Sequence, residues 1–293
     1  STSIASPLLV GAAPRGNFCT GPSFTAYQKH SRTRTNKGSA SGWVNSRPMF
    51  FKPDNITIMQ LYLDSANPEE ILLAREWGVI DGVTTNLSLV AKSGVKMEAA
   101  IGAVLNASPG PVYCQVVGWK ETAPLVAQAR WLHRFSRRIV VKIPMGIAGI
   151  TAVRQLKREN PRIPLCVTVV SSVAQAVLVA KAGADVVALF NGPLDLEQDE
   201  PVNTVSVVRA IYDRGGYETK ILSAGRFPRS FGEYAADGSD IITIRMEFMK
   251  QLFEHSFTDK RMRGFLGDWQ TAYGDKTWPS RKGASTAGKR KKA

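Results

Sequence analysis

The chain has 293 residues, 44% hydrophobic and 21% charged, the balance of an ordinary water-soluble globular fold, and no run approaches the eighteen apolar residues of a membrane-spanning helix. Its net charge of +14 suggests a nucleic-acid partner until the distribution is read: seven Lys/Arg and no acid precede Asp54, and six more with no acid follow Ser280, which leaves 25 basic residues against all 24 acids between them. Three cysteines (Cys19, Cys114, Cys166) and three scattered histidines (His30, His133, His255) lack metal-ligand spacing, so neither a metal site nor a His-based triad is expected.

Residues 1–58 are rich in Ser, Thr, Gly and Arg without a sustained apolar period. That composition suits an organelle transit peptide, with a plastid ahead of a mitochondrion as destination, or a docking arm. From about Gln60 onward short apolar runs alternate with helical stretches. The runs are Leu61–Leu63, Gly82–Thr84, Val112–Val116, Ile139–Ile143, Leu165–Val169, Val186–Phe190, Lys220–Ser223 and Ile241–Ile244. They are continuous rather than alternating, as parallel strands covered on both faces require. Cys114 and Cys166 fall within them, which predicts buried thiols of a reducing compartment.

The intervening helices carry recognisable ends. Asn67-Pro-Glu-Glu70 supplies an N-cap, a first-turn proline and two acids, with Gly78 at the far end. Ile147, Ile150, Val153 and Leu156 predict the buried stripe of another helix that stops before Pro161. Three echoes, Gly78-Val-Ile-Asp81, Gly183-Ala-Asp185 and Gly238-Ser-Asp240, each lead from a helix into a strand. Eight strands separated by helices in some 220 residues predict a (β/α)8 TIM barrel over residues 59–279. A solvated basic tail (280–293) and the basic N-terminal extension flank it.

In such barrels the reactive groups sit at the C-terminal ends of the strands. Read in order, these are Asp64, Thr84-Thr85-Asn86, Gln115, Lys142, Thr168, Phe190 and Ser223-Ala-Gly-Arg226. Lys142 interrupts the apolar run Ile-Val-Val-Lys-Ile-Pro. Apolar surroundings disfavour an ammonium, and a neutral amine can condense with a ketone to give an iminium that draws electrons from the neighbouring C–C bond. Asp64 could move a proton to and from a substrate hydroxyl. Asn86, Gln115 and Thr168 suit the alignment of hydroxyls or a water.

Leu-Tyr-Leu-Asp64, Gly-Val-Thr-Thr-Asn86, Gln115, Val-Val-Lys142-Ile-Pro, Thr168 and Ala-Gly-Ala-Asp-Val-Val-Ala-Leu-Phe190 together resemble the transaldolase family. The likeness is strongest to its short branch, which includes fructose-6-phosphate aldolase, and it extends to Asp-Trp-Gln-Thr-Ala-Tyr273-Gly. The resemblance implies a class I (Schiff-base) transferase or aldolase acting on a sugar phosphate or related ketose, without cofactor. Lys142 would be the nucleophile, Asp64 the proton shuttle, and Gln115 and Thr168 the holders of a catalytic water. Asn86, Thr85, Phe190, Ser223 and Arg226 would bind substrate. It further implies a ring-shaped homo-oligomer with the Phe253–Tyr273 segment as a subunit contact.

Departures accompany the likeness. Leu87 replaces the family's proline after Thr-Thr-Asn, and Pro193 stands where its phosphate-binding arginine is expected. Phe190 is the transaldolase choice while Gln115 is the aldolase choice. An alternative follows: a catalytically impaired barrel that acts as a scaffold, docked by its basic ends to a nucleic-acid-containing or other large assembly.

Overall fold

A computed structural model of the chain describes residues 59–190, 204–225 and 227–277. The expectations placed on the N-terminal extension, on Pro193, on Arg226 and on the basic tail lie outside the described residues. All eight expected strands are present: β1 (Gln60–Asp64), β2 (Gly82–Thr84), β3 (Val112–Gln115), β4 (Ile139–Pro144), β5 (Leu165–Val170), β6 (Val186–Leu189), β7 (Lys220–Gly225) and β8 (Ile241–Ile244). Each pairs in parallel with its sequence neighbours, and β8 returns to β1, so the sheet closes in sequential order. The fold is a (β/α)8 TIM barrel.

Side chains alternate between the two faces of each strand, and closure turns one face into a shared interior. Tyr62, Tyr113, Val140, Cys166, Val186, Ala188, Leu222 and Ile241 form that interior cluster. Their neighbours, among them Leu63, Val83, Cys114, Val141, Val167, Val187, Ile221 and Ile242, face outward into a second, larger core beneath the helices. Within the interior, Tyr62 and Tyr113 meet edge to face, with ring centroids 5.5 Å apart.

The described helices are α1 (Pro68–Glu76), α2 (Leu87–Lys92), α3 (Met97–Ala107), α4 (Thr122–Phe135), α5 (Ile147–Glu159), α6 (Val173–Ala182), α7 (Thr204–Gly215), α8 (Pro228–Ala236), α9 (Met246–Gln251) and α10 (Ser256–Tyr273). Asn67 caps α1 as expected, its Oδ1 accepting from the backbone N–H of Glu69 at 2.9 Å. In α5 the buried stripe is Gly149, Ala152, Val153 and Leu156. Ile147, expected in that stripe, is 92% exposed, because the first turn overhangs the end of β4. Gly149 lets the helix approach: a Cβ there would lie 2.0 Å from the carbonyl oxygen of Pro144.

The three Gly-to-Asp echoes share one hydrogen-bonding device. Asp81 accepts from Leu61 N at 2.9 Å, Asp185 from Leu165 N at 2.7 Å and Asp240 from Ile221 N at 2.7 Å. In each case the aspartate's own N–H donates back to the carbonyl of that same residue. The carboxylate thus satisfies a backbone donor at the start of a strand. Hydrogen bonds to a charged acceptor contribute about 1.5–3 kcal/mol. Asp240→Ala is therefore expected to lower stability by about that amount, and Asp240→Asn, which keeps an acceptor, by less; the midpoint of urea unfolding measures both.

Candidate active site

At the C-terminal ends of the strands the interior opens into a cavity of about 440 Å³, a size suited to a small ligand. Asp64 of β1, Thr84 of β2, Gln115 of β3, Lys142 of β4, Thr168 of β5, Ala188 of β6, Leu222 and Ala224 of β7 and Thr243 of β8 line it. Each occupies the inward-facing alternation of its strand. Asn86, Phe190 and Arg245, from the loops above, and Ser88 of α2 complete the polar and aromatic rim. A larger hollow of about 760 Å³ lies at the opposite end of the barrel, lined by Gln60, Tyr62, Tyr113, Asp185 and Lys220 among others. Asp64, Asn86, Gln115, Lys142, Thr168 and Phe190 converge on the smaller cavity, and the interior cluster closes its floor.

Lys142 is 8% exposed. Its Nζ donates to the backbone carbonyl of Thr85 at 2.8 Å, and among the described residues no carboxylate pairs with it. Gln115 is its register partner on β3, and Thr168 lies on the other neighbouring strand, opposite Pro144. On the strands either side of Lys142 the cavity wall thus carries a neutral amide and a neutral hydroxyl.

Asp64 belongs to a hydrogen-bonded chain. Thr84 Oγ1 donates to Asp64 Oδ1 at 2.8 Å and shares a 2.6 Å contact with Thr243 Oγ1. Arg245 Nε stands 3.8 Å from Asp64 Oδ2. Asn86 serves two ends: its Oδ1 caps α2 by accepting from Leu89 N at 3.0 Å, while the residue also lines the cavity.

Two of the expected substrate-binding side chains are placed elsewhere. Thr85 turns its hydroxyl to the Tyr113 carbonyl at 3.0 Å and serves the site through its own carbonyl oxygen. Ser223 lies between the inward residues Leu222 and Ala224, so the alternation points it outward. It is fully buried, with its hydroxyl 2.6 Å from that of Ser239. Arg226 lies outside the described residues. Sequence reasoning placed Thr84 at a strand end without a role and missed Thr243 and Arg245, although Arg245 directly follows the eighth strand and the strand-end rule that selected the other seven ends would have found it.

Both described cysteines are free and buried. Desolvation pushes each thiol up to about 12; the Thr85 hydrogen bond and the Lys142 charge oppose this at Cys114, and the Lys142 charge opposes it at Cys166. They remain protonated thiols at neutral pH and do not compete with the amine as nucleophiles.

The end of β5 is irregular. Its pairing with β6 shifts register between Val167 and Val170, and Val169 adopts φ 61°, a conformation that a β-branched residue rarely takes. The irregularity directly follows Thr168, which lines the cavity. Such left-handed backbone costs roughly 1–3 kcal/mol. Val169 is 43% exposed and loses little by truncation. Val169→Gly is therefore expected to raise stability by about 1 kcal/mol, after roughly 0.5–1 kcal/mol is offset by the greater chain entropy of glycine; a higher midpoint of thermal unfolding is the readout.

Sequence comparison points to one family. The model of the family described as transaldolase/fructose-6-phosphate aldolase matches residues 61–277. A probable transaldolase of Coprothermobacter proteolyticus is 40% identical over 217 residues, which cover 74% of this chain and 99% of the relative. Probable transaldolases of a Hydrogenobaculum species and of Aquifex aeolicus are 40% and 38% identical, each over 72% of this chain and 97% of the relative.

Proposed function

The chain belongs to the transaldolase/fructose-6-phosphate aldolase family, and from that premise we propose that it is a Schiff-base enzyme that cleaves and rejoins ketose carbon chains, with Lys142 as the nucleophile and a sugar phosphate or related ketose as substrate. The observation that carries this reading is the buried amine of Lys142 at the floor of an open cavity, held among the described residues by a single carbonyl and by no ion pair. A scaffold would have no need of such a space; the cavity favours catalysis over the scaffold alternative.

The proposed chemistry begins when the neutral amine adds to the ketone carbon. Loss of the carbonyl oxygen as water leaves an iminium. A base then removes the proton of the hydroxyl on the far carbon of the bond to be cut. That C–C bond breaks, an aldehyde departs, and the bonding pair moves through carbon to the iminium nitrogen, giving an enamine. Return of the pair to the aldehyde carbon of an acceptor, followed by hydrolysis, restores the lysine. Asp64 is the carboxylate among the described cavity-lining residues and takes the base's part, with Thr84 orienting it. Gln115 and Thr168 sit beside Lys142, where water must be lost and regained.

Borohydride reduces an iminium to a stable secondary amine. Incubation with dihydroxyacetone and borohydride is expected to add one reduced three-carbon unit to the peptide containing Lys142, read by mass spectrometry. Lys142→Met is expected to abolish the adduct, and a folded wild-type protein that gives none with any ketose donor contradicts the reading.

The chain is further proposed to self-associate through α10. Every residue of this helix is exposed, yet Met262, Phe265, Leu266, Trp269 and Tyr273 follow one another at helical spacing, a stripe that a second copy would cover. Light scattering after size exclusion is expected to give a multiple of 31.9 kDa, and Phe265→Glu with Leu266→Glu a smaller particle.

A further inference from the structure

The wall of the cavity is unevenly charged. Among the described residues, Ala188, Leu222, Ala224 and Gly225 make the β6–β7 side apolar and uncharged. Among the described lining residues the cations are Lys142 and Arg245. Lys142 is buried with its amine engaged by Thr85. Arg245 stands four strands away, past the end of β8, on the opposite side of the closed ring. Its side chain is 44% exposed.

Its acidic neighbours leave the guanidinium underused. Asp64 and Glu247 approach no closer than 3.8 and 3.9 Å, beyond hydrogen-bond reach. No hydrogen bond is made by the Arg245 side chain among the described residues, although a guanidinium carries five donors in a fork that fits phosphate and carboxylate oxygens. Barrels of this architecture frequently hold phosphate after strands 7 and 8.

We propose that Arg245 is the specificity-determining residue that binds the terminal anionic group of the substrate, phosphate above all, at the far end of the cavity from Lys142. The inference rests on the carbonyl chemistry assigned to Lys142 only for the class of carbon chain. A ketose extended across the mouth would place its carbonyl at the amine and its charged end at the fork. Asp64 would lie between them, next to Arg245 and within the same cavity. On this basis Arg245 supplies the charge that the sequence lacks at Pro193.

A carbonyl-free ligand separates this inference from imine formation. Calorimetric titration of the full chain with arabinitol 5-phosphate, arabinitol and arabinonate compares a phosphate, a neutral and a carboxylate end on one carbon chain. The wild type is expected to prefer the phosphate over the neutral polyol by on the order of tenfold or more. Arg245→Gln is expected to erase that ratio. Arg245→Lys keeps charge without the fork and should retain part of it. Lys181→Gln, on the exposed last turn of α6, removes one charge elsewhere and should leave it intact. Comparable binding of arabinonate and the phosphate, both lost in Arg245→Gln, would assign the site to terminal anions in general. A wild type without preference, or an Arg245→Gln variant that keeps it, overturns the proposal. An Arg245-dependent preference in a protein that gives no borohydride adduct would refute the Schiff-base reading and leave this inference standing.

Discussion

Closure of eight parallel strands into a ring is the constraint on which the rest of this molecule depends. Once the ring closes, every second side chain of every strand enters one common interior, and the others are pressed under the helices. A residue's position in this alternation, more than its chemical type, then decides whether it can act. Lys142 and Ser223 are both polar and both buried. One stands in the inward alternation and reaches the cavity, while the other is shifted by a single residue and hydrogen-bonds behind the sheet.

The mouth built in this way has three chemically distinct sectors. Across β3 to β5 a buried amine has an amide and a hydroxyl on the strands either side, without a neutralising acid among the described residues. Across β8 to β2 a carboxylate, two threonines and a guanidinium form a polar chain. Between them β6 and β7 contribute small apolar groups. The separation is geometric: the carboxylate stands on β1, three strands from the lysine on β4.

Much of this was legible in the sequence because the signals were local. The apolar runs gave the eight strands, and the Gly-to-Asp echoes marked three helix-to-strand turns whose common purpose, a carboxylate capping a neighbouring strand, emerges from the hydrogen bonds. Lys142 stood out as a cation within an apolar run. What escaped was set by register and backbone geometry. Ser223 and Thr85 looked like strand-end donors, but a single step in the alternation, or a hydroxyl turned to a carbonyl, removed their side chains from the cavity. Arg245 was overlooked because the family pattern drew attention to Arg226. The left-handed backbone of Val169 has no signature in a β-branched residue; only the bulge in the β5–β6 pairing explains it. Ile147 satisfied the helical period and still faces solvent, since periodicity assigns a face but not where that face runs past the strand beneath it.

The layer formed by Tyr62, Tyr113, Val140, Cys166, Val186 and Ile241 has a consequence for how the molecule can change. It fills the middle of the ring with aromatic and aliphatic packing that meets the cavity wall only through Ala188 and Leu222, so cohesion and reactivity are housed in largely separate storeys. Rim positions can drift over generations, or be rewritten by a designer seeking a different carbon skeleton, without loosening the masonry underneath. Heat tolerance and catalytic repertoire then become separately tunable traits of one small frame.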